Sequence, residues 1–181
     1  MFHKSKIAKR EQPDTSSYTL YNEPEDASIR DKIWISDYYQ VVSIDPAYKN
    51  LALRIEKRYM DGKIIPLVFE KVNLSNNTAT SAADFRSVVF QNLTIFLDRY
   101  SEIWPQCHIF IIERQLPENY KAVRISQHAL SYFLIKLCHS PLLPVILEID
   151  PKLKTRQLQA PRGLNKEQTK NWCVAKAKYI L

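Results

Sequence analysis

The chain has 181 residues, 45% of them hydrophobic, which is enough for a single domain with a sizeable buried core. It contains no apolar run of the roughly 20 residues that a membrane span needs and no secretory signal, so we expect an intracellular protein in a reducing compartment, with no membrane partner. The two glycines cannot build a Gly-rich phosphate loop, which excludes a nucleotide cofactor of the P-loop type. The net charge of +7 arises in residues 151–181.

The first 36 residues combine turn-forming and charged residues without a sustained hydrophobic period. This pattern predicts an irregular N-terminal arm over residues 1–36, and residues 37–181 are expected to form the folded domain. The domain begins with a predicted strand over residues 38–45, in which an apolar run ends at Asp45. A second strand is predicted over residues 50–60, where apolar and polar residues alternate.

The dipeptide Asp61–Gly62 predicts a hairpin turn that leads into a third strand over residues 63–74. Pro66 lies inside this strand and has no amide hydrogen for a ladder bond, so we expect the strand at an edge of the sheet. Residues 85–104 show the apolar spacing of a helix of about five turns. The predicted buried positions of this helix are Phe85, Val88 or Val89, Leu93, Phe96 and Leu97.

The rest of the chain alternates strands with helices. A short apolar strand ends in Glu113, a helix is predicted over residues 121–139, and a fifth strand ends in Asp150. After a basic loop, Asn165 is expected to cap a last helix. The element order βββαβαβα predicts an α/β fold with a mixed five-stranded sheet flanked by helices.

Three acidic residues stand where predicted strands end: Asp45, Glu113 and Asp150. The carboxyl ends of parallel strands line the functional crevice of open α/β sheets, so these carboxylates would converge if their strands are parallel neighbours. Carboxylates without histidine or cysteine beside them are hard oxygen ligands that suit Mg²⁺ or Mn²⁺, and a two-metal site could hydrolyse a phosphodiester. The alternative is that these acids only cap turns, and the strand pattern leaves that choice open.

Two segments carry a family resemblance. The segment "VVSIDPAYKNLAL" resembles the first motif of the RuvC-type Holliday-junction resolvases, particularly the poxvirus and mitochondrial branch, in which a strand ends in Asp and Lys-Asn precedes the next strand. The segment "HIFIIERQ" is similar to the second motif of that family, where a hydrophobic strand ends in an acid followed by Gln. The resemblance extends over residues 38–178 and implies an RNase H-like fold.

The resemblance implies a Mg²⁺- or Mn²⁺-dependent endonuclease that cuts branched DNA and acts as a homodimer. Asp45 and Glu113 would be its catalytic metal ligands, and Lys49, Asn50 and Gln115 would shape the site as motif neighbours. The basic C-terminal segment would bind DNA phosphates, with an affinity that falls steeply with salt. The candidate phosphate-binding residues are Lys152, Lys154, Arg156, Arg162, Lys166 and Lys170.

The sequence also departs from the family pattern. Ala47 stands where the family commonly has glycine, and Glu167 is the only acid after Asp150, whereas the family ends with a helix that bears a pair of acids. Three explanations remain open: a longer chain supplies the acids, Asp150 or Glu167 substitutes for them, or the protein is a degenerate relative that binds branched DNA or acts as an assembly factor without cutting. A viral protein would act at the replication site in the host cytoplasm, and a cellular one in the mitochondrion.

Overall fold

The structure is a computed structural model that describes residues 18–21, 37–75 and 87–180. Its strands are β1 (Tyr18–Leu20), β2 (Tyr38–Asp45), β3 (Leu51–Tyr59), β4 (Ile64–Val72), β5 (Ile109–Glu113) and β6 (Val145–Ile149). Its helices are α1 (Ser87–Asp98), α2 (Tyr120–Leu137), α3 (Leu153–Gln157) and α4 (Lys166–Ile180), and a 3-10 turn spans Trp104–Gln106. The short helix α3 lies in a segment for which the sequence predicts a loop.

The strands of the described ranges form one mixed sheet in the order β1-β6-β5-β2-β3-β4. β2, β3 and β4 are antiparallel neighbours, whereas β5 and β6 run parallel to β2. The predicted mixed α/β fold is therefore confirmed. The number of strands is corrected from five to six, because β1 adds to the outer edge of β6.

β1 lies inside the segment for which the sequence predicts an irregular arm. It pairs antiparallel with β6, and the Tyr21 amide that follows it donates to a β6 carbonyl at 3.0 Å. The Tyr21 hydroxyl also donates to Glu148 Oε2 at 3.0 Å. A strand of three residues is too short to show an alternating pattern, so its sequence gives no signal. The boundary at residue 36 stays a prediction, because residues 22–36 lie outside the described residues.

The hairpin between β3 and β4 forms at the predicted dipeptide. Gly62 has a φ of +89°, and the Tyr59 amide donates to the Lys63 carbonyl at 2.9 Å. β4 lies at the edge of the sheet, as Pro66 predicts. Pro66 is opposite Glu56 beside a β-bulge, where the register of the two strands shifts, and this irregularity accommodates the missing amide.

The core lies between one face of the sheet and helices α1 and α2. On β2 and β5 the residues in this core are Val42, Ile44, Phe110 and Ile112. On α1 they are Val89, Leu93, Phe96 and Leu97, four of the positions that the helical spacing predicts. The predicted position Phe85 lies outside the described residues. Because side chains alternate along a strand, Asp45 and Glu113 point to the opposite face of the sheet.

The prediction of a five-turn first helix is wrong at its C-terminal end, since α1 ends at Asp98. The chain after α1 turns back so that Trp104 enters the core, where its indole Nε1 donates to the Leu97 carbonyl at 3.1 Å. The same carbonyl also accepts a hydrogen bond from the Tyr100 amide at 3.1 Å, the i to i+3 type that often closes the last turn of a helix. The helix thus gives way to a series of turns and a buried Trp104 where its apolar spacing predicts further helical turns.

Candidate metal and phosphate-binding site

The two acids at the ends of β2 and β5 lie side by side. These strands are parallel neighbours whose register pairs Ile44 with Ile112, so Asp45 and Glu113 occupy the next matching position. Ile44 and Ile112 are buried in the core, and the two carboxylates therefore project from the face that α1 and α2 do not cover. The parallel pairing that convergence of these carboxylates requires is present.

A cavity of about 270 Å³ opens beside the acid pair. Its lining is mainly apolar and includes Ile111, Ile149 and the exposed ring of Phe69. At its rim Asp45 is exposed, whereas Glu113 is half-buried. The sheet therefore presents a fixed pair of carboxylates, one open to water and one partly shielded from it.

Lys154 of α3 contacts this pair. Its Nζ donates to Glu113 Oε2 at 2.8 Å. Burial raises the pKa of Glu113, Lys154 opposes that rise, and the negative charge of Asp45 adds to it. Burial lowers the pKa of Lys154, but the hydrogen bond to Glu113 and the charges of both acids outweigh it, so the pKa lies above its usual value. An ammonium group thus balances part of the negative charge of the pair.

Asp150 follows β6, which is one strand further from β2 than β5 is. Its Oδ1 accepts a hydrogen bond from the Lys152 amide at 2.6 Å, the turn-capping role that the alternative interpretation gives to strand-end acids. In the part of the chain that the structure describes, no group of three or more His, Cys, Asp or Glu side chains is placed to hold a metal ion. A ligand role for Asp150 stays a prediction.

The motif neighbours lie around the acid pair in different ways. Gln115 Nε2 donates to the Glu113 carbonyl at 3.2 Å, which restrains the backbone beneath that carboxylate. Lys49 and Asn50 are exposed in the turn after β2. Ala47 in the same turn does not have a positive φ, so the absence of glycine there causes no left-handed strain.

The basic C-terminal segment surrounds a second cavity of about 420 Å³, between α3 and the start of α4. Its polar lining residues are Lys152, Thr155, Arg156 and Thr169. Arg162 and Lys170 are exposed next to this lining in the chain, and the Lys166 side chain lies outside the described residues. Five of the six predicted phosphate-binding side chains are thus described, and one of them, Lys154, is engaged with Glu113.

The donor set of the acid pair fits one hard divalent cation. Mg²⁺ commonly binds one or two carboxylates and completes its coordination with water and substrate phosphate oxygens. Asp45 and Glu113 supply two carboxylates at one edge of the sheet. Among the described residues no third acid joins them, so the pair accounts for one part of a two-metal site.

A charged cluster on β3 was not identified from the sequence. Glu56 is 2% exposed and accepts hydrogen bonds from the Nε atoms of Arg54 and Arg58. Positions two apart in a strand share a face, so the spacing Arg-x-Glu-x-Arg contains the signal for this cluster. Arg54 also lines the cavity beside the acid pair, which places a restrained guanidinium group at the candidate site.

No protein-family model matches the chain. The chain is similar to uncharacterized protein 170L of Invertebrate iridescent virus 6, with 34% identity over 76 residues that make up 42% of this chain and 30% of that protein. It is also similar to uncharacterized protein 97L of Invertebrate iridescent virus 3, with 35% identity over 85 residues, 47% of this chain and 40% of that protein. The matches span less than half the length of these two viral relatives.

Solved structures of similar fold include the yeast mitochondrial Holliday junction resolvase Ydc2, with 21% identity, a TM-score of 0.46, and coverage of 73% of this chain and 64% of that chain. Thermus thermophilus RuvC has 18% identity and a TM-score of 0.49, with 71% of this chain and 74% of that chain covered. At such identities and TM-scores the likeness concerns the fold alone and carries no argument about activity. In the described residues, no helix combines the length and apolar character that crossing a membrane requires.

Proposed function

We propose that this protein is a structure-specific endonuclease of the Holliday-junction resolvase type, which binds branched DNA and hydrolyses its phosphodiester bonds with Mg²⁺ or Mn²⁺. The observation that carries the proposal is the pairing of Asp45 and Glu113 at the carboxyl ends of two parallel neighbouring strands. The two sequence motifs that end in these acids support the same class. The curated proteins with similar sequences are viral, which agrees with a viral resolvase.

Asp45 and Glu113 would hold the metal ion through their carboxylate oxygens. A bound divalent ion supplies Lewis acidity and an activated water for attack on phosphorus. The chain contributes rigid placement, because β2 and β5 hold the two acids in register and Gln115 restrains the Glu113 backbone. The adjacent cavity has a mainly apolar lining, and Glu113 at its edge is half-buried.

The basic residues around α3 and α4 are proposed to bind the phosphate backbone of the DNA. Lys152 and Arg156 line the cavity there, and exposed Arg162 and Lys170 extend the basic surface. Contacts of this kind position the duplex without reading its sequence, as suits an enzyme that recognises branch structure. A four-way junction has two-fold symmetry, so we propose a homodimer with one acid pair in each protomer.

A second candidate is a protein of the same fold that binds branched DNA, or serves as an assembly factor, without cutting. The ion pair between Lys154 and Glu113 favours this candidate, because an ammonium group stands where a divalent cation would bind. A permanent lysine at that position would offset part of the negative charge of the acids and reduce their mutual repulsion at the strand ends. It would supply no Lewis acid for hydrolysis.

A cleavage assay on a synthetic four-way junction with Mg²⁺ or Mn²⁺ separates these candidates. The wild-type chain should cut the junction, and Asp45→Asn or Glu113→Gln should lower the rate by about 100-fold or more, because each change removes an anionic metal ligand. Glu102→Gln is the matched control: it removes the same charge from an exposed side chain that precedes β5, whereas Glu113 ends that strand. This control should cut like wild type.

Junction binding, measured by gel shift under the same conditions, shows which candidate function a given cleavage result supports. Binding without cutting by the wild-type chain would favour the non-cutting candidate over the nuclease. Cutting that survives Asp45→Asn would refute the assigned site. A chain that neither binds nor cuts the junction would contradict both candidates.

A further inference from the structure

We propose that Lys154 is an exchangeable counter-ion of the acid pair. Its ammonium group stays bound to Glu113 until a DNA phosphate binds it instead. Metal binding at the acid pair therefore depends on DNA. This inference rests on the proposed function, because it concerns the same pair, Asp45 and Glu113. It adds a positioning role for Lys154 that differs from general phosphate binding.

The contact between Lys154 and Glu113 is direct and its lysine side is open to solvent. The Lys154 Nζ lies 2.8 Å from Glu113 Oε2, so any cation that binds this oxygen meets the ammonium group. The Lys154 side chain is 49% exposed, so an anion in solution can reach its ammonium group, whereas the Glu113 side chain is only 22% exposed. A competing ligand can therefore separate the two side chains.

The metal ion and the ammonium group cannot both be well bound at this pair. The Lys154 ammonium group interacts with the charge of Asp45 as well as with that of Glu113, so it offsets part of the negative charge of the pair. A divalent cation between the two carboxylates would lie close to the ammonium group, and like charges at short range repel strongly when partly shielded from water. Either cation must leave before the other binds tightly.

The position of α3 connects this contact to the proposed DNA surface. Lys152 and Arg156 are four residues apart, share one side of the short helix and line the second cavity. Lys154 lies two residues from each of them, so its side chain leaves α3 about 200° around the helix axis from theirs. On that side its ammonium group reaches Glu113. A DNA backbone that places one phosphate at the acid pair and others on Lys152 and Arg156 would pass across the short helix α3, within reach of Lys154. The flexible Lys154 stem can then exchange a carboxylate oxygen for a phosphate oxygen.

Mn²⁺ binding, followed by the electron paramagnetic resonance of the free ion, tests this role without relying on cleavage. In the absence of DNA, Lys154→Met should bind Mn²⁺ roughly tenfold more tightly than wild type, because the competing charge is gone. Addition of a four-way junction with phosphorothioate linkages at its centre should raise the Mn²⁺ affinity of wild type by a similar factor. The Mn²⁺ that the junction binds without protein is subtracted. The junction should raise the Mn²⁺ affinity of Lys154→Met only a little.

Lys136→Met provides the matched control. Lys136 Nζ lies 3.2 Å from Asp98 Oδ1 and its side chain is 48% exposed, so this change breaks an equivalent ion pair elsewhere and should leave Mn²⁺ affinity unchanged. The inference would be overturned if wild type and Lys154→Met bind Mn²⁺ equally well, or if the junction does not raise the Mn²⁺ affinity of wild type. Loss of Mn²⁺ binding in Asp45→Asn would, in either case, still support the proposed metal site. Unchanged Mn²⁺ binding in Asp45→Asn would instead defeat the proposed site, and the inference with it.

Discussion

Asp45 and Glu113 take their positions from the residues that precede them. Ile44 and Ile112 are buried on the helix-covered face, and each therefore turns the acid that follows it to the opposite face. An apolar run that ends in an acid is visible in the sequence, so both residues could be identified there. The ion pair with Lys154 could not, because it joins positions 41 residues apart through a short helix that has no sequence signal.

A second set of side chains ties α1 to α2. The Tyr132 hydroxyl donates to Asp98 Oδ1 at 2.7 Å, and Lys136 Nζ lies 3.2 Å from the same oxygen. The hydrogen bond from Tyr132 holds the pKa of Asp98 below its usual value, against the effect of burial and with the help of Lys136. A carboxyl whose folded-state pKa is lowered stabilises the fold above its unfolded-state pKa, and this contribution disappears as the pH falls through the folded-state pKa.

Tyr132→Phe should therefore lower the free energy of unfolding at neutral pH by about 1 kcal/mol, since it removes the hydrogen bond and keeps the ring. The difference from wild type should shrink as the pH falls through the lowered pKa of Asp98, where its carboxylate becomes protonated. Urea unfolding of both chains across this pH range measures the effect. A difference that stays constant with pH would contradict the role of the Asp98 carboxylate.

At the scale of elements, segments with a strong local signal could be predicted. Asn165 caps the N-terminus of α4 as expected. Its Oδ1 accepts a hydrogen bond from the Gln168 amide at 2.9 Å, and Gln168 Oε1 accepts one from the Asn165 amide at 2.9 Å. The hairpin and the edge position of β4 follow in the same way from Asp61–Gly62 and Pro66. β1 could not be predicted because a strand of three residues is too short to show alternation, and α3 could not because a helix of five residues makes little more than one turn.

The hairpin depends on the backbone freedom of Gly62. Its φ of +89° is unfavourable for any residue with a Cβ atom, although a Cβ at this position would meet no atom within 4 Å. Gly62→Ala should lower the free energy of unfolding by about 1 kcal/mol, as measured by urea unfolding. Gly62→Asn should cost less, because asparagine tolerates left-handed backbone better than alanine does. Equal stability of Gly62→Ala and wild type would contradict this turn geometry.

At the scale of the whole molecule, strand direction brings the acidic and basic regions to one end of the sheet. β2, β5 and β6 run parallel, so their carboxyl ends share one edge, and α3 follows directly after β6. The element order predicted this shared edge only on the condition that the strands are parallel neighbours, and the structure shows that they are. It could not predict which lysine would reach Glu113, because that depends on how far α3 turns back toward β5.

Anomalous X-ray diffraction from Mn²⁺-containing crystals of the chain bound to a four-way junction would test the metal assignment most directly. We expect an anomalous peak within metal–oxygen bonding distance of the carboxylates of both Asp45 and Glu113, with the Lys154 ammonium group on a DNA phosphate. Crystals that contain the bound junction but show no peak at this pair, with Lys154 still on Glu113, would contradict the assignment of these acids as the metal site.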